Sequence, residues 1–563
     1  MVRMTGSQAI ARTMSMHDVE HFFHVPGGVS ELFPAIGDAG IDLVLARSEK
    51  GAAYMADGFS RVSFKPSVCF GQAGPGAINL AAGLSEPFWT CTPVIALTGS
   101  TSTMHVHKFQ YQELDEMPLF GPTTKWNVEV PRAERASEIM GDAFRVATSG
   151  CPGPVHINLP YDVARAEAEV PEIPPSPVYG RYPAKRSRPD PEDVRTVAAA
   201  LAEAGRPVIV AGGGVNISRA WGEVVELAEL LAVPVATTLN GKGTIPDAHP
   251  LSVGVVGRYS KATANRVVGE ADVVFYVGSR AGGMATDNWS VPGPGAHVLQ
   301  LDVWPEHIGR NYRAQASMVC DARLGLRDLI DVLKEEMVKP TPRGEYLREI
   351  REIMDEWEEM AGPVMGSDAV PIKPHRVIKE IQGALGEGDI LVADTGQIGA
   401  WTGVLYRTLS PGRGYIRAAG TLGWSMAAAI GAKFAAGDGR VLAVIGDGGV
   451  LYHIGELETA LRWGKPFVTV VLNNLSLGMI HLSLERMRGE RRFNSSDFTD
   501  VDYGKIASAF GAHGARVERP GEIGEAIEAA FESGKPAVID ILVDLHELSP
   551  MSFYRTLPSG RPL

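Results

Sequence analysis

Cysteine is scarce in this chain: four in 563 residues, Cys69, Cys91, Cys151 and Cys320, with no CxxC spacing among them. That excludes a disulfide scaffold and a cysteine-rich zinc module, and the four read as reduced thiols of a cytoplasmic protein. No uninterrupted apolar run reaches the ~20 residues that a membrane-spanning helix needs. The opening Met1-Val2-Arg3-Met4-Thr5-Gly6 lacks the layout of a secretory signal and leads into a polar-faced helix. Basic charge is not in excess: 53 Lys and Arg against 66 Asp and Glu leave a net charge of −13 without a basic patch, which argues against a nucleic-acid partner. Nor is there a clear internal repeat. What is present is the composition of a soluble globular protein, 45% apolar and 21% charged, at a length that predicts about three domains.

Short apolar runs alternate with helical stretches from the start, which predicts doubly wound parallel sheets and an α/β class throughout. A first domain, 1–165, has predicted strands at Leu43–Ala46, Ser67–Phe70, Val94–Leu97 and Val155–Leu159. Small residues at Gly51, Ala52, Ala53, Ala56 and Gly58 predict a closely packed helix after the first of these. A breaker-rich linker from Val170 to Pro191 follows. The central domain, 190–340, has predicted strands at Pro207–Ala211, Val233–Thr237, Val273–Val277 and His297–Asp302. Gly212-Gly213-Gly214 after its first strand invites a dinucleotide reading and hence an NAD(P)-binding oxidoreductase. The full GxGxxG with its helix and acidic partner is not cleanly present, and a close turn after a strand is the better explanation of the run. Charged helical sequence from Arg343 joins this to a third domain, 370–545, and a tail, 546–563, read as non-helical.

The third domain holds the most informative stretch. Val441–Ile445 is an apolar strand, Gly446-Asp447-Gly448-Gly449 follows it, then a helix, then a second apolar strand, Phe467–Leu472, that delivers Asn473-Asn474. Asp447 and Asn474 thus fall at the carboxyl ends of two strands, where open α/β sheets bind ligands. A carboxylate and an amide carbonyl are oxygen ligands of the kind Mg²⁺ accepts, its other positions being filled by phosphate oxygens and water. Gly448 and Gly449 let backbone amides approach a phosphate at a helix N-terminus. Gly-Asp-Gly alone also fits an ordinary crossover whose aspartate caps a helix. Asn-Asn 27 residues after Asp447, at the end of the next strand, sets this stretch apart.

At that spacing the stretch resembles the signature of thiamine-diphosphate enzymes of the acetolactate synthase, pyruvate oxidase and benzaldehyde lyase group. The resemblance implies that Asp447 and Asn474 bind Mg²⁺ through their side chains and Ser476 through its backbone carbonyl. Arg47-Ser48-Glu49-Lys50-Gly51-Ala52-Ala53-Tyr54 looks like the family segment whose glutamate touches the aminopyrimidine N1′ of the cofactor. Glu49 would then share a proton with N1′, because a carboxyl buried against an apolar ring holds its proton more tightly. Ala419-Gly420-Thr421-Leu422 resembles the segment that bends the cofactor, with Gly420 offering a carbonyl to its amino group and Leu422 an apolar wedge between its rings.

Asp394-Thr395-Gly396-Gln397 resembles the other diphosphate-gripping loop, with Ile398 where acetolactate synthases commonly carry histidine. Pro26-Gly27-Gly28-Val29 resembles the loop lining the substrate pocket, and Phe70–Asn79 the glycine turn beside it. Tyr111-Gln112-Glu113 resembles a Phe-Gln-Glu whose glutamine faces the reacting substrate; the extra hydroxyl of Tyr111 bears on acceptor choice. His105, His107 and Lys108 suit either an anion-binding loop or a solvated one. Arg280 and Asp302 resemble positions that grip FAD or an adenine nucleotide. Ala281-Gly282-Gly283-Met284 lacks the flavin-contacting Phe-Asp-Asp-Arg pattern, however, so FAD is admitted rather than expected.

The expectation is therefore a three-domain α/β enzyme, with pyrimidine-binding, central and diphosphate-binding domains, that uses thiamine diphosphate and Mg²⁺ on a small-molecule carbonyl substrate. Acetolactate-synthase-like cleavage or decarboxylation of a small 2-oxo acid with carboligation leads; a 2-hydroxyacyl-CoA lyase or oxalyl-CoA decarboxylase is the alternative. The resemblance also implies a homodimer or homotetramer with active sites between subunits, and neither membrane nor nucleic acid as partner.

Overall fold

The computed structural model describes residues 1–171, 176–336, 340–488 and 495–552. Of the tail, 553–563 lies outside the described residues, as does 172–175 of the linker. Among the described residues no helix is long and apolar enough to cross a membrane.

Three sheets, each of six parallel strands, organise the chain into three doubly wound α/β domains. In space, the first sheet runs Asp42–Leu45, His21–His24, Ser67–Gly71, Val94–Ser100, Val155–Pro160, Trp126–Glu129. The third runs Tyr415–Arg417, Ile390–Ala393, Val441–Gly446, Val468–Asn473, Ala537–Leu542, His513–Val517. In both, the spatial order is second, first, third, fourth, sixth, fifth. The sequence shows no clear repeat, yet the two outer domains share one topology. The central sheet has a different order: Ser252–Val255, Val235–Thr237, Pro207–Ala211, Val273–Val277, His297–Asp302, Ala314–Val319. A short antiparallel pair, Val2–Thr5 with Glu167–Val170, ties the two ends of the first domain together. Thr5 then caps the helix Gly6–Met16 in a reciprocal capping box with Gln8.

Strands buried on both faces are apolar runs, as Val441–Gly446 and Val468–Asn473 show. Six strands of the three large sheets have no such run and are not predicted from the sequence: His21–His24, Trp126–Glu129, Ser252–Val255, Ala314–Val319, Tyr415–Arg417 and His513–Val517. Five of them are sheet edges, where one flank faces no neighbour and a continuous apolar sequence is not needed. His21–His24 is interior but only four residues long, with a histidine at each end.

The first and third domains share one apolar core, built where the helix Glu49–Ser63 crosses the helix Trp424–Ala436. Glycine sets how close the two helices come. A Cβ at Gly58 would lie 2.1 Å from the Ala428 carbonyl oxygen, and one at Gly431 would lie 1.9 Å from that of Met55. Gly431→Ala should therefore cost about 3 kcal/mol or more, read as a lowered thermal midpoint. Gly383→Ala, in a helix where an added Cβ meets nothing within 4 Å, should be neutral or stabilising by up to about 1 kcal/mol. Equal midpoints for the two variants would contradict this packing.

Candidate active site

Asp447 and Asn474 stand at the carboxyl ends of neighbouring parallel strands, Val441–Gly446 and Val468–Asn473. The chain after the second strand doubles back at Leu475, whose φ is +58°. This brings the Ser476 N–H to donate to Asp447 Oδ2 at 3.0 Å, while Gly448 N–H donates to Oδ1 at 2.8 Å. The carboxylate is buried, and burial pushes its pKa up to about 6 against the pull of these amides. Asn474 Oδ1 is buried and has no hydrogen-bond partner among the described residues, and Gln397 Nε2 is in the same state. The Ser476 carbonyl accepts from Gly478 N–H at 2.8 Å and retains a second lone pair.

These residues line one cavity of about 320 Å³ at the carboxyl edge of the third sheet. Gly396, Gln397, Gly420, Leu422, Gly448 and Gly449 line it as well. Leu422 packs over the glycine turn, its Cδ1 3.4 Å from where a Cβ of Gly449 would stand. Gly396, with φ +71°, turns the chain from the strand Ile390–Ala393 into the helix Gln397–Leu405. Asp394 itself does not face the cavity. It is fully buried and accepts from Gly423 N–H at 3.0 Å and Ser425 N–H at 2.9 Å, which fixes the turn carrying Gly420 and Leu422.

Glu49, Gln112 and Gly28 are not among the residues lining that cavity. They gather at the carboxyl edge of the first sheet. Glu49 begins the helix Glu49–Ser63 behind its cap Ser48, and its Oε2 accepts from Asn79 Nδ2 at 3.1 Å. Room for it comes from two glycines of the neighbouring turn: a Cβ at Gly76 would lie 2.9 Å from Glu49 Oε1, and one at Gly71 3.3 Å from its Cγ. Gln72 Nε2 donates to Gln112 Oε1, and Gly27 leaves the space that the Gln72 carboxamide fills. Gln112 has φ +62° and sits on an exposed loop. Phe109 and Tyr111, beside it, are 100% and 85% exposed, and Met104 is 71% exposed. The single chain thus presents two candidate half-sites, one at the carboxyl edge of each outer sheet.

Two buried glutamates that the sequence reading does not single out hold the half-sites to each other's domain. Glu86, from the first domain, accepts from Ala419 N–H, from Gly420 N–H at 3.3 Å and from the Thr421 hydroxyl at 2.5 Å. Arg61 bridges it to Asp57, with contacts of 3.1 Å and 2.6 Å, and Asp57 in turn accepts from Trp424 Nε1 at 2.9 Å. Glu456, from the third domain, accepts from Arg47 N–H at 3.0 Å, just ahead of Glu49; burial pushes its carboxyl up to about 7. For Glu86 the signal available in the sequence is a charged residue on the buried face of an otherwise apolar helix; Glu456 shares its helix with Glu458 and Arg462 and carries no such signal. Glu86→Ala leaves four loop donors without their acceptor and takes one of two carboxylates from Arg61, and a broken buried network of this kind costs about 3–5 kcal/mol. A thermal midpoint equal to that of the unaltered protein would contradict the assignment.

His107 N–H and Gln110 N–H are taken up by Glu113, which shapes the loop. At the central domain, Gly212 allows a tight approach, since a Cβ there would lie 2.2 Å from the Gly278 carbonyl oxygen. Arg280 and Asp302 line a different, interdomain cavity of about 460 Å³.

Comparison with known proteins agrees with this architecture, domain by domain. The profile of the thiamine pyrophosphate enzyme N-terminal TPP binding domain matches residues 4–119. That of the central domain matches 194–329, and that of the C-terminal TPP binding domain 394–541. The chain therefore belongs to the thiamine-diphosphate-dependent enzymes of the acetolactate synthase, pyruvate oxidase and benzaldehyde lyase group. Within it, the chain is 36% identical to a probable acetolactate synthase large subunit of Methanocaldococcus jannaschii, over 99% of this chain and 94% of that one. It is 33% identical to a probable acetolactate synthase large subunit of Methanococcus aeolicus, over 100% and 94%. It is 30% identical to the acetolactate synthase isozyme 3 large subunit of Escherichia coli, over 97% and 96%. It is an enzyme of the carboligase, lyase and decarboxylase class, with the 2-oxo-acid chemistry typical of that group.

Proposed function

We propose that this enzyme decarboxylates a small 2-oxo acid and joins the remaining acyl unit to a second carbonyl compound, as an acetolactate synthase does. The observation that carries the reading is Asn474 Oδ1, buried without a hydrogen-bond partner among the described residues in the glycine-lined cavity that Asp447 also lines. Leaving a buried acceptor unmade costs about 1–3 kcal/mol, and a hard cation takes such an oxygen as a ligand. Among the described residues no cluster of three or more His, Cys, Asp or Glu is placed to hold a metal, so the donor set here is one carboxylate plus neutral oxygens. That composition fits Mg²⁺ bound jointly with a diphosphate, whose own oxygens supply the missing negative ligands.

When bound, thiamine diphosphate would supply the electron sink for cleavage next to a carbonyl. Asp447, Asn474 and the Ser476 carbonyl would hold Mg²⁺, while Gly396, Gln397, Gly448 and Gly449 would receive the diphosphate. Leu422 would support the folded cofactor from below, with the Gly420 carbonyl directed at its amino group. Glu49 would hold and return a proton at the pyrimidine N1′. Gln112 and Gly28 would line the substrate side, with Gln72 fixing the Gln112 carboxamide. Leu422 and Ile398 make part of the wall apolar, which keeps water from the reacting carbon.

The two half-sites complete each other across a subunit boundary in this reading. Phe109, Tyr111 and Met104 are large apolar side chains exposed on the loop that carries Gln112, and a second copy of the chain gives them a surface to cover. We infer a homodimer or a homotetramer built from such dimers. With pyruvate, Mg²⁺ and the cofactor, the enzyme should release CO₂ and form a branched hydroxy-oxo acid. Cleavage of a 2-hydroxyacyl-CoA or oxalyl-CoA, with no CO₂ from pyruvate, would overturn the substrate assignment and leave the cofactor assignment intact.

A further inference from the structure

Cys91 and Cys151, distant in sequence, meet at the wall of the cavity between the first and central domains. Cys91 ends the helix Pro75–Thr90 in a left-handed conformation, φ +55°. Cys151 lies just ahead of the strand Val155–Pro160. Their sulfurs are 3.3 Å apart, with Cys151 donating its S–H, and Arg280 Nη2 lies 2.8 Å from Cys91 Sγ. Both thiols are half-buried and reach the cavity, where Asp302 and His307 also stand. The Cys151 hydrogen bond and, after it, the Arg280 guanidinium hold the Cys91 thiol down, at about 6, against the opposing effect of burial; Cys151 is pushed the other way. The remaining two thiols differ in kind. Cys69 and Cys320 are buried, and burial pushes both up, Cys320 to about 12.

We propose that Cys91 and Cys151 form a peroxide-reactive dithiol, Cys91 as the attacking thiolate and Cys151 as the resolving thiol. A reactive cysteine is one whose sulfur is ionised, reachable and next to a cation, and only Cys91 has all three properties here. Its sulfur attacks one oxygen of hydrogen peroxide; an S–O bond forms, the O–O bond breaks, and hydroxide leaves and is protonated by solvent. Cys151 then attacks the Cys91 sulfur: the S–S bond forms, the S–O bond breaks, and the Cys151 proton departs with the hydroxide as water. Two thiols lose two electrons, the peroxide gains them, and the products are one disulfide and two waters. At 3.3 Å the sulfurs need to close by little more than 1 Å to reach bonding distance. A dithiol reductant reverses the reaction by exchange.

The test uses the full-length protein, reduced and desalted, with one equivalent of hydrogen peroxide at neutral pH. The expected result is an intact mass lower by about 2 Da, a Cys91–Cys151 cross-linked peptide, and recovery of both thiols with dithiothreitol. In Cys151→Ser, Cys91 should be trapped as a sulfenic acid by dimedone; in Cys91→Ser, Cys151 should stay unmodified over the same interval. Arg280→Gln should slow the reaction by about tenfold, because the thiolate loses its cation. Cross-links through Cys69 or Cys320, all four thiols surviving a tenfold excess of peroxide, or an unchanged rate in Arg280→Gln would each overturn the proposal.

Discussion

Asp447→Ala is expected to lower turnover by about a thousandfold or more, the scale of several kcal/mol of metal-dependent stabilisation, while the protein stays folded. The side chain is not part of an apolar core. Its Oδ atoms accept from backbone N–H groups, Gly448 and Ser476 the closest, with Leu475 and Asn474 also facing it, amides that water filling the shortened site can satisfy. What the variant removes is the one carboxylate among the proposed Mg²⁺ ligands; Asn474 and the Ser476 carbonyl are neutral and do not compensate a divalent charge. Loss of cofactor retention and loss of activity should therefore go together, and excess Mg²⁺ should restore neither fully. Asn474→Ala should act in the same direction but less severely, since it removes an acceptor and no charge. An Asp447→Ala enzyme with unaltered turnover would remove the basis for the metal site.

Glu49→Gln is expected to slow turnover by about 10²–10⁴-fold, the usual contribution of a positioned acid–base group, with cofactor retention nearly unchanged. The amide keeps the size of the side chain and accepts from Asn79 as the carboxylate does, so the local packing at Gly71 and Gly76 is preserved. It cannot release and recover a proton. The same variant tests the subunit arrangement. Mixed with Asp447→Ala under conditions that exchange subunits, two inactive proteins should regain activity. A mixed dimer would pair an intact Glu49 half-site from one chain with an intact Asp447 half-site from the other. No recovery after demonstrated exchange would place both half-sites of one active centre on a single chain.

What the sequence discloses, and what it hides, follows from distance along the chain. The strand, glycine turn, helix and strand from Val441 to Asn474 are contiguous, so the residues proposed for the metal can be read from one window, and they do line one cavity. Strands buried on both faces are legible for the same reason: burial writes itself as an unbroken apolar run. The edge strands Trp126–Glu129 and His513–Val517 carry no such record, because half of their surroundings is solvent or loop. The glutamate clamps are hidden more deeply. Glu86 meets Ala419 across 333 residues and Glu456 meets Arg47 across 409, and nothing local in either helix announces its partner. Cys91 and Cys151 are the plainest case: in sequence they are isolated thiols without a motif, the pairing of the strands Val94–Ser100 and Val155–Pro160 brings them together, and the packing of the first domain against the central one adds Arg280.

The shared strand order of the first and third domains belongs to the same lesson. Two sheets with one topology place their carboxyl edges in equivalent positions, one carrying Glu49 and Gln112, the other Asp447 and Asn474. A cofactor with a basic heteroaromatic ring at one end and a diphosphate at the other suits a pair of edges so equipped.

The most direct measurement is calorimetric titration of thiamine diphosphate into the purified, cofactor-free chain, with Mg²⁺ and again with a chelator. The account predicts saturable binding near one cofactor per chain with Mg²⁺, and its loss when the metal is withdrawn. Absence of binding in both titrations, or binding indifferent to the chelator, would contradict it.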